Sequence, residues 1–154
     1  MNIFVLDYNI KKCARYHCDK HVVKMILESA QMLSAAVRLN GVNQGYAITH
    51  KNHPCSKWAR ESISNWKWLR KLASELNREY KFRFERKNNH KSYDLIQELA
   101  IPKIKDKGLT SFALAMPEKY KHNDPIISYR SFYLGEKRNL FKWTKRKIPV
   151  WVSD

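Results

Sequence analysis

The clearest hydrophobic pattern in the chain covers residues 16–37, where apolar side chains occupy most of the surface of a predicted helix. At about 100° per residue, the polar residues of this segment fall on one narrow face. This polar stripe consists of His17, His21, Lys24, Glu28 and Gln31. A helix this apolar is expected to be largely buried, and burying charged groups is costly unless they pair or line a cavity. The stripe is therefore a candidate site, and a purely structural Lys24–Glu28 pair is the alternative.

The segment before the stripe predicts two short elements. Residues 2–6 form an apolar run that is either a strand or an extended arm on the core. Asp7 or Asn9 can cap a first short helix that leads into the striped helix, which should end near Arg38.

Downstream of the stripe, a loop marked by Gly41 and Gly45 leads to Pro54, which is well placed to open a helix. Residues 56–84 are amphipathic with helical period, with a break predicted near residues 62–64. A shorter helix is predicted over residues 93–99 and another around residues 112–115. Asp124 and Pro125 resemble an N-cap and a first helical position, for a helix through about Arg138.

Strand-like alternation is almost absent, and no repeat or low-complexity linker divides the chain. We therefore predict an all-α fold: a single compact helical domain over residues 1–154 with a short extended or strand-like N-terminal segment. The 154 residues are 44% hydrophobic, which is enough for a substantial core.

The net charge of the chain indicates what kind of molecule it binds. The chain has 30 Lys and Arg against 14 Asp and Glu, a formal net charge of +16. Such an excess favours nucleic acid, because neutralised phosphates release counterions and supply sequence-independent affinity. The basic residues are spread over several segments, which argues against a membrane-surface helix, and no apolar run reaches the roughly 20 residues of a membrane span.

Three cysteines make a disulfide framework improbable and favour a reducing compartment. With no signal-peptide pattern at the start, we expect a cytoplasmic protein, in the host cell if it is phage-encoded. Cys13, His17, Cys18 and His21 invite a zinc interpretation, but the usual pair of separated ligand pairs is missing. We predict neither a metal nor a cofactor, nor an obligate protein partner.

Further candidate residues lie outside the stripe. Asn52 and His53, just before Pro54, could contact a base, or His53 could merely cap the following helix. On the long helix Trp66 or Trp68 could stack on a displaced base or fill its vacated space, with burial in the core as the alternative. The candidates for phosphate contacts, which could equally be solvated surface, are Arg60, Lys67, Arg70, Lys71 and Arg130.

Several of these segments together resemble one family. The motif DKHVVKMILE at residues 19–28 is similar to the first buried helix of the pyrimidine-dimer DNA glycosylases of the phage endonuclease V type, in which an Asp-x-His precedes a Glu by the same spacing. Gly45 and Tyr46 with the downstream NHP at residues 52–54 resemble a Gly-Tyr-Arg-Asn-His-Pro segment of bacterial relatives. The helix WLRKLASELNREYKFR at residues 68–83, and Pro149 with Trp151 near the end, are also similar.

This resemblance implies a compact all-α enzyme that flips a nucleotide out of double-stranded DNA and cleaves its glycosidic bond. In the family the N-terminal α-amine attacks the sugar C1′ and forms a Schiff base that permits strand cleavage. Carried over, Glu28 takes the role of the catalytic Glu, His21 supports it with Lys24 nearby, and Tyr46 joins Asn52 and His53 as a substrate or DNA contact.

The match departs from the family at the nucleophile. The family usually exposes a Thr after loss of Met, whereas Asn2 is large enough to retain Met1. The segment before Asp19 is also about five residues longer, which leaves the reach of the amine to Glu28 open. Three hypotheses follow: a glycosylase, with or without lyase activity; a transferase acting on an activated 5-hydroxymethyl pyrimidine in DNA; and a non-catalytic DNA-binding protein.

Overall fold

The computed structural model describes residues 1–152, which are built from α-helices and connecting segments. The helices are α1 (Ile10–Tyr16), α2 (Asp19–Leu39), α3 (Pro54–Glu61), α4 (Ile63–Arg83), α5 (Lys91–Glu98) and α6 (Pro125–Glu136). Short 3₁₀ helices cover Glu118–Tyr120, Arg138–Leu140 and Val150–Val152. Residues 1–152 contain no β-strand, so the predicted all-α class is confirmed and the N-terminal segment is an extended arm.

The polar stripe lies on α2, but the predicted start of this helix was wrong. His17 is the extended C-cap of α1, and α2 begins at Asp19. The carbonyl of His17, which a continuous helix would pair with the amide of residue 21, instead accepts a hydrogen bond of 2.7 Å from Arg83. His17 therefore does not belong to the striped helix.

The predicted break in the long amphipathic segment is confirmed. Ser62 has extended backbone angles between α3 and α4. Its hydroxyl accepts from the amide of Lys107 at 2.9 Å and donates to Asp106 at 3.3 Å. Pro54 opens α3 as predicted, after the N-cap His53. The hydrogen bonds of the Ser62 hydroxyl compensate for the helical hydrogen bonds that are lost at the break.

Among the later elements, the helix predicted over residues 112–115 was wrong. The carbonyl of Ala113 accepts from the Tyr129 hydroxyl, and the carbonyl of Ala115 accepts from the Asn2 side chain. These long-range hydrogen bonds hold the segment extended. The predicted N-cap Asp124 is confirmed and accepts from the amide of Ile126 at the start of α6. Helix α5 begins two residues earlier than predicted, after its N-cap His90.

The N-terminal arm is part of the core. Ile3, Phe4, Val5 and Leu6 are buried, and α2 packs against α3, α4 and α5 around them. Burial of apolar surface stabilises at about 25 cal/mol per Å², so these four side chains anchor the arm strongly. Within residues 1–152 each helix is either too short or too polar to cross a lipid bilayer.

A buried ionic network anchors the start of α2. The fully buried Arg83 contacts Asp19 at 3.1 Å and Glu79 at 3.1 Å. Its guanidinium also donates to the carbonyls of Arg15 and His17, at 2.8 and 2.7 Å. Every nitrogen of the guanidinium thus has a partner, as a buried charge requires.

The C-terminal tail completes this network. Thr144 donates to Asp19 through both its amide and its hydroxyl, and Arg146 binds Glu79 at 2.8 and 3.0 Å. Burial alone would raise the pKa of Glu79, but the hydrogen bond from Arg146 and the charges of Arg83 and Arg146 lower it overall. The tail therefore holds together helices that are distant in sequence.

We predict that Arg83→Met lowers the free energy of unfolding by about 3–5 kcal/mol, because it removes the cation that neutralises Asp19 and the donor to the carbonyls of Arg15 and His17. Urea unfolding followed by circular dichroism measures this change. The control is Arg78→Met on the same helix, where the side chain is 73% exposed beside Glu75, and it should cost less than about 0.5 kcal/mol. Equal effects of the two substitutions would contradict the assignment.

Candidate active site around Glu28

Glu28 lies in the middle of α2 and is buried, with 6% of its surface exposed. Its Oε1 atom accepts a hydrogen bond of 2.8 Å from the backbone amide of Asn2 and lies 3.3 Å from the α-amine of Met1. Its Oε2 atom is 3.9 Å from the ammonium of Lys24, which is largely exposed. A buried carboxylate is thus compensated by the first two residues of the chain and by one cation at the surface.

The arm reaches Glu28 because it runs antiparallel to α2. Phe4 stacks on His21 with ring centroids 4.5 Å apart, and Met1 lies at Glu28, seven residues further along the helix. Seven helical residues rise about 10 Å, which three extended residues also span. The sequence alone left open whether the Met1 amine can reach Glu28. In the fold, the amine lies beside the carboxylate.

Asn2 fixes the arm at this position. Its side-chain oxygen accepts from the Tyr129 hydroxyl at 3.2 Å and from the Cys55 thiol at 3.6 Å, while its amide donates to the carbonyl of Ala115 at 2.9 Å. The Met1 side chain is 2% exposed, and its sulfur accepts from the Ser56 hydroxyl at 3.6 Å. The side-chain contacts of Met1 and Asn2, the two residues joined by the first peptide bond, therefore hold the amine in place.

This arrangement joins a primary amine and a carboxylate at hydrogen-bond distance. In a comparison with known families, the sequence profile described as pyrimidine dimer DNA glycosylase matches residues 1–93. The chain belongs to this family. No curated protein and no solved structure gives a significant match. The family supports a glycosylase-like function in DNA repair and implies a DNA substrate.

The pyrimidine dimer DNA glycosylase family match begins at residue 1, so it includes the amine as well as Glu28. His53 lies close enough for the N-terminal charge to act on it. Burial, then this charge and that of His50, lower the pKa of His53. His53 also caps α3 by accepting from the amide of Cys55 at 3.1 Å, which confirms the capping role, and its contact to a base stays a prediction.

His21 and His17 lie deeper in the core than Glu28. His21 is hydrogen bonded to the Tyr133 hydroxyl at 2.6 Å beneath its stacked contact with Phe4, and burial lowers its pKa to about 3. The His17 ring is bonded to the carbonyl of Cys13 at 2.7 Å, and burial lowers its pKa to about 4. Both rings are neutral at pH 7. Across residues 1–152, no three potential metal ligands converge.

The other residues predicted for the site fall into two groups. Asn52 is exposed in the turn before α3, and Gln31 is half-buried on α2, three residues after Glu28. Tyr46 is bonded to Ser92 at 2.9 Å, and Arg60 donates to the carbonyl of Lys51 at 2.6 Å. Gln31 is close to Glu28 in sequence and Asn52 is adjacent to His53, whereas Tyr46 and Arg60 have partners within the fold.

The candidates on α4 separate by burial. Trp66 is fully buried and donates to the carbonyl of Leu33 at 3.2 Å, so it is a core residue. A surface groove of about 520 Å³ between α4 and α5 is lined in part by the three predicted phosphate contacts of this helix, Lys67, Arg70 and Lys71. Arg70 also lies over the Trp66 ring at 5.1 Å.

Arg130 on α6 has partners within the fold. Its guanidinium donates to the carbonyl of Leu6 at 2.9 Å and binds Asp7 at 3.0 Å. It also lies over the rings of Tyr16 and Trp151. The exposed fraction of its side chain is 28%, and its contacts connect the arm to α6.

Sequence reasoning left the position of the Met1 amine open and did not predict the contacts of Asn2 and Tyr129 beside Glu28. Their contacts span up to 127 residues of sequence, which no local pattern reports. One signal was present in the sequence. The apolar run at residues 2–6 is expected to be buried, and its burial places the start of the chain close to the core.

We predict that the protein becomes less stable as the pH falls below about 6.5, where the unfolded chain protonates its histidines but the folded core does not. The lowered pKa values of His21 and His17 make each cost about 1.4 kcal/mol per pH unit below that point, and the loss ends near the folded pKa.

The test is His21→Phe, which keeps an aromatic ring against Phe4 but removes the titrating group. Between pH 6 and pH 5 the slope of the unfolding free energy against pH, measured in urea, should fall by about 1.4 kcal/mol per pH unit. An unchanged slope would show that His21 gains its proton equally in the folded and the unfolded protein.

Proposed function

We propose that this protein is a DNA N-glycosylase that acts on a damaged or modified pyrimidine displaced from the duplex, with Met1 supplying the nucleophile and Glu28 the carboxylate. The observation that carries the proposal is the distance of 3.3 Å between the Met1 α-amine and Glu28 Oε1. Family membership supports the DNA substrate and the glycosylase class.

The chemistry follows from this pair. An amine attacks carbon only as its free base, so a proton acceptor within hydrogen-bond distance is required, and Glu28 meets that condition. Attack of the Met1 nitrogen on C1′ forms a C–N bond while the bond from C1′ to the base breaks, and the base leaves with the electron pair. The carboxylate also stabilises the positive charge that develops on the sugar.

Loss of the second proton from nitrogen and opening of the sugar ring give an iminium link between Met1 and C1′. Removal of a proton from C2′ then allows the 3′ phosphate to leave, which is the lyase step. In this proposal Glu28 moves these protons, and Lys24 stays at the surface as a cation near the phosphates. Asn52 and His53 are the candidates for contacts to the displaced base.

With Met1 as the nucleophile, the proposal assumes that Met1 is retained. Its side chain is 2% exposed, so its removal would leave a cavity in a packed region and cost about 2–5 kcal/mol. Should the mature chain begin at Asn2, that residue's nitrogen lies 2.8 Å from the same carboxylate oxygen. Either nitrogen meets Glu28, so mass spectrometry of the linked peptide identifies the nucleophile.

The experiment is borohydride trapping on ultraviolet-irradiated duplex DNA and on DNA containing 5-hydroxymethyl pyrimidines. Reduction converts the iminium to a stable amine, so we expect a covalent protein–DNA complex on the irradiated substrate. Acetylating the N-terminal amine, or extending the chain by a few residues before Met1, should abolish it. Absence of both the complex and base release on either substrate would overturn the proposal.

We further predict that Glu28→Gln reduces the single-turnover rate at least about 100-fold, since the amide cannot accept the amine proton. DNA affinity should change little, because phosphate contacts dominate it. The matched control is Glu118→Gln, the same change at a carboxylate whose side chain is 87% exposed, which should retain activity. A Glu28→Gln protein that folds, binds and reacts normally would instead support a non-catalytic stripe.

A further inference from the structure

A second stripe on α2, next to Glu28, is exposed and partly apolar. Val23 and Leu27 are 37% and 39% exposed and lie one helical turn apart. Lys20 and Lys24 are exposed on the same face. Single exposed apolar residues are ordinary, but this pair lies at the edge of the candidate site, and Leu27 directly precedes Glu28.

The charge around these two side chains suits a duplex. Both carboxylates of α2 have partners. Asp19, in the first turn, is bound to Arg83 and Thr144, and Glu28 is bound to the arm. The exposed face therefore presents cations without a competing free carboxylate on α2. A surface of this kind is complementary to the phosphates that flank a base pair.

Displacing a nucleotide leaves a gap in the stack, and proteins commonly fill such a gap with an apolar side chain. The tryptophans predicted for this task are engaged elsewhere. Trp66 is fully buried, and Trp68 packs against Trp58 and Phe112, with ring centroids 5.8 and 4.9 Å away. The filling group must therefore come from another part of the surface.

We propose that Leu27, flanked by Val23, is the wedge that enters the DNA stack and occupies the space of the displaced nucleotide. This inference rests on the proposed function, since it assumes that a nucleotide is brought to Glu28. Leu27 is suited to the task because α2 is 21 residues long and is anchored at one end by Arg83 and in its middle by the arm. A rigid helix does not give way when the side chain is pressed between bases.

The test measures base displacement apart from chemistry, in full-length protein carrying Glu28→Gln. The probe is a duplex with a thymine dimer and 2-aminopurine beside it on the same strand, whose fluorescence rises when the neighbouring pyrimidine leaves the stack. We expect Leu27→Ala to lower the equilibrium constant for displacement about tenfold, seen as a lower plateau at saturating protein. Affinity for undamaged duplex should stay within about twofold, because phosphate contacts set it.

The matched control is Leu39→Ala, a similarly exposed leucine at the end of the same helix, which should leave the plateau unchanged. Leu27→Met should restore it, since it keeps an apolar side chain of similar size. Equal plateaus for Leu27→Ala and its parent would overturn the wedge, and so would a parent that gives no fluorescence rise. A change of oligomeric state in sedimentation, with the plateau unchanged, would make the stripe a protein interface instead.

The two proposals fail separately. If trapping gives no covalent complex but the plateau depends on Leu27, the nucleophile is wrong and the wedge stands. If trapping succeeds and the plateau ignores Leu27, the chemistry stands and the gap is filled by another group.

Discussion

The structure depends on how a buried carboxylate is compensated in the middle of its longest apolar helix. An isolated Glu28 would cost several kcal/mol, and its partners are the first two nitrogens of the chain. Meeting them requires the arm to lie along α2, which brings Phe4 onto His21 and the Asn2 side chain into contact with Tyr129 and the carbonyl of Ala115. One electrostatic requirement thus fixes the arm, the segment around residues 113–115 and the packing of α6. The candidate site and the core share the same residues.

The two ends of this arrangement have different tasks. At the start of α2, Arg83 is buried with all its nitrogens paired, and replacing it affects the whole fold. Further along, Glu28 is buried and keeps one oxygen 3.9 Å from the exposed ammonium of Lys24. A helix held at its beginning and braced at its centre can present Glu28 and Leu27 in fixed positions. Preorganisation of this kind reduces the reorganisation that a reaction must otherwise undergo.

Local patterns predicted the helices well, and non-local contacts account for what they missed. Hydrophobic periodicity identified α2 and the long amphipathic segment broken at Ser62, and the Asp124–Pro125 capping pattern identified the start of α6, because each depends on residues within a few positions of one another. The extended segment over residues 112–115 and the C-cap at His17 depend on Tyr129, Asn2 and Arg83, which are distant in sequence. Glu28 could be singled out because a charge on an apolar helix is an energetic anomaly. Its partner could not, since reaching it depends on how the arm folds back.

Asn2 holds the arm in place through hydrogen bonds of its side chain. A small residue at this position would leave the arm without the hydrogen bonds to Tyr129, Cys55 and Ala115. The larger side chain favours retention of Met1, whose own side chain then fills the space beside Ser56. Under the proposed function the nucleophile is then the Met1 amine. Because one oxygen of Glu28 contacts the nitrogens of both Met1 and Asn2, the first peptide bond is held beside the carboxylate on which the proposed chemistry depends.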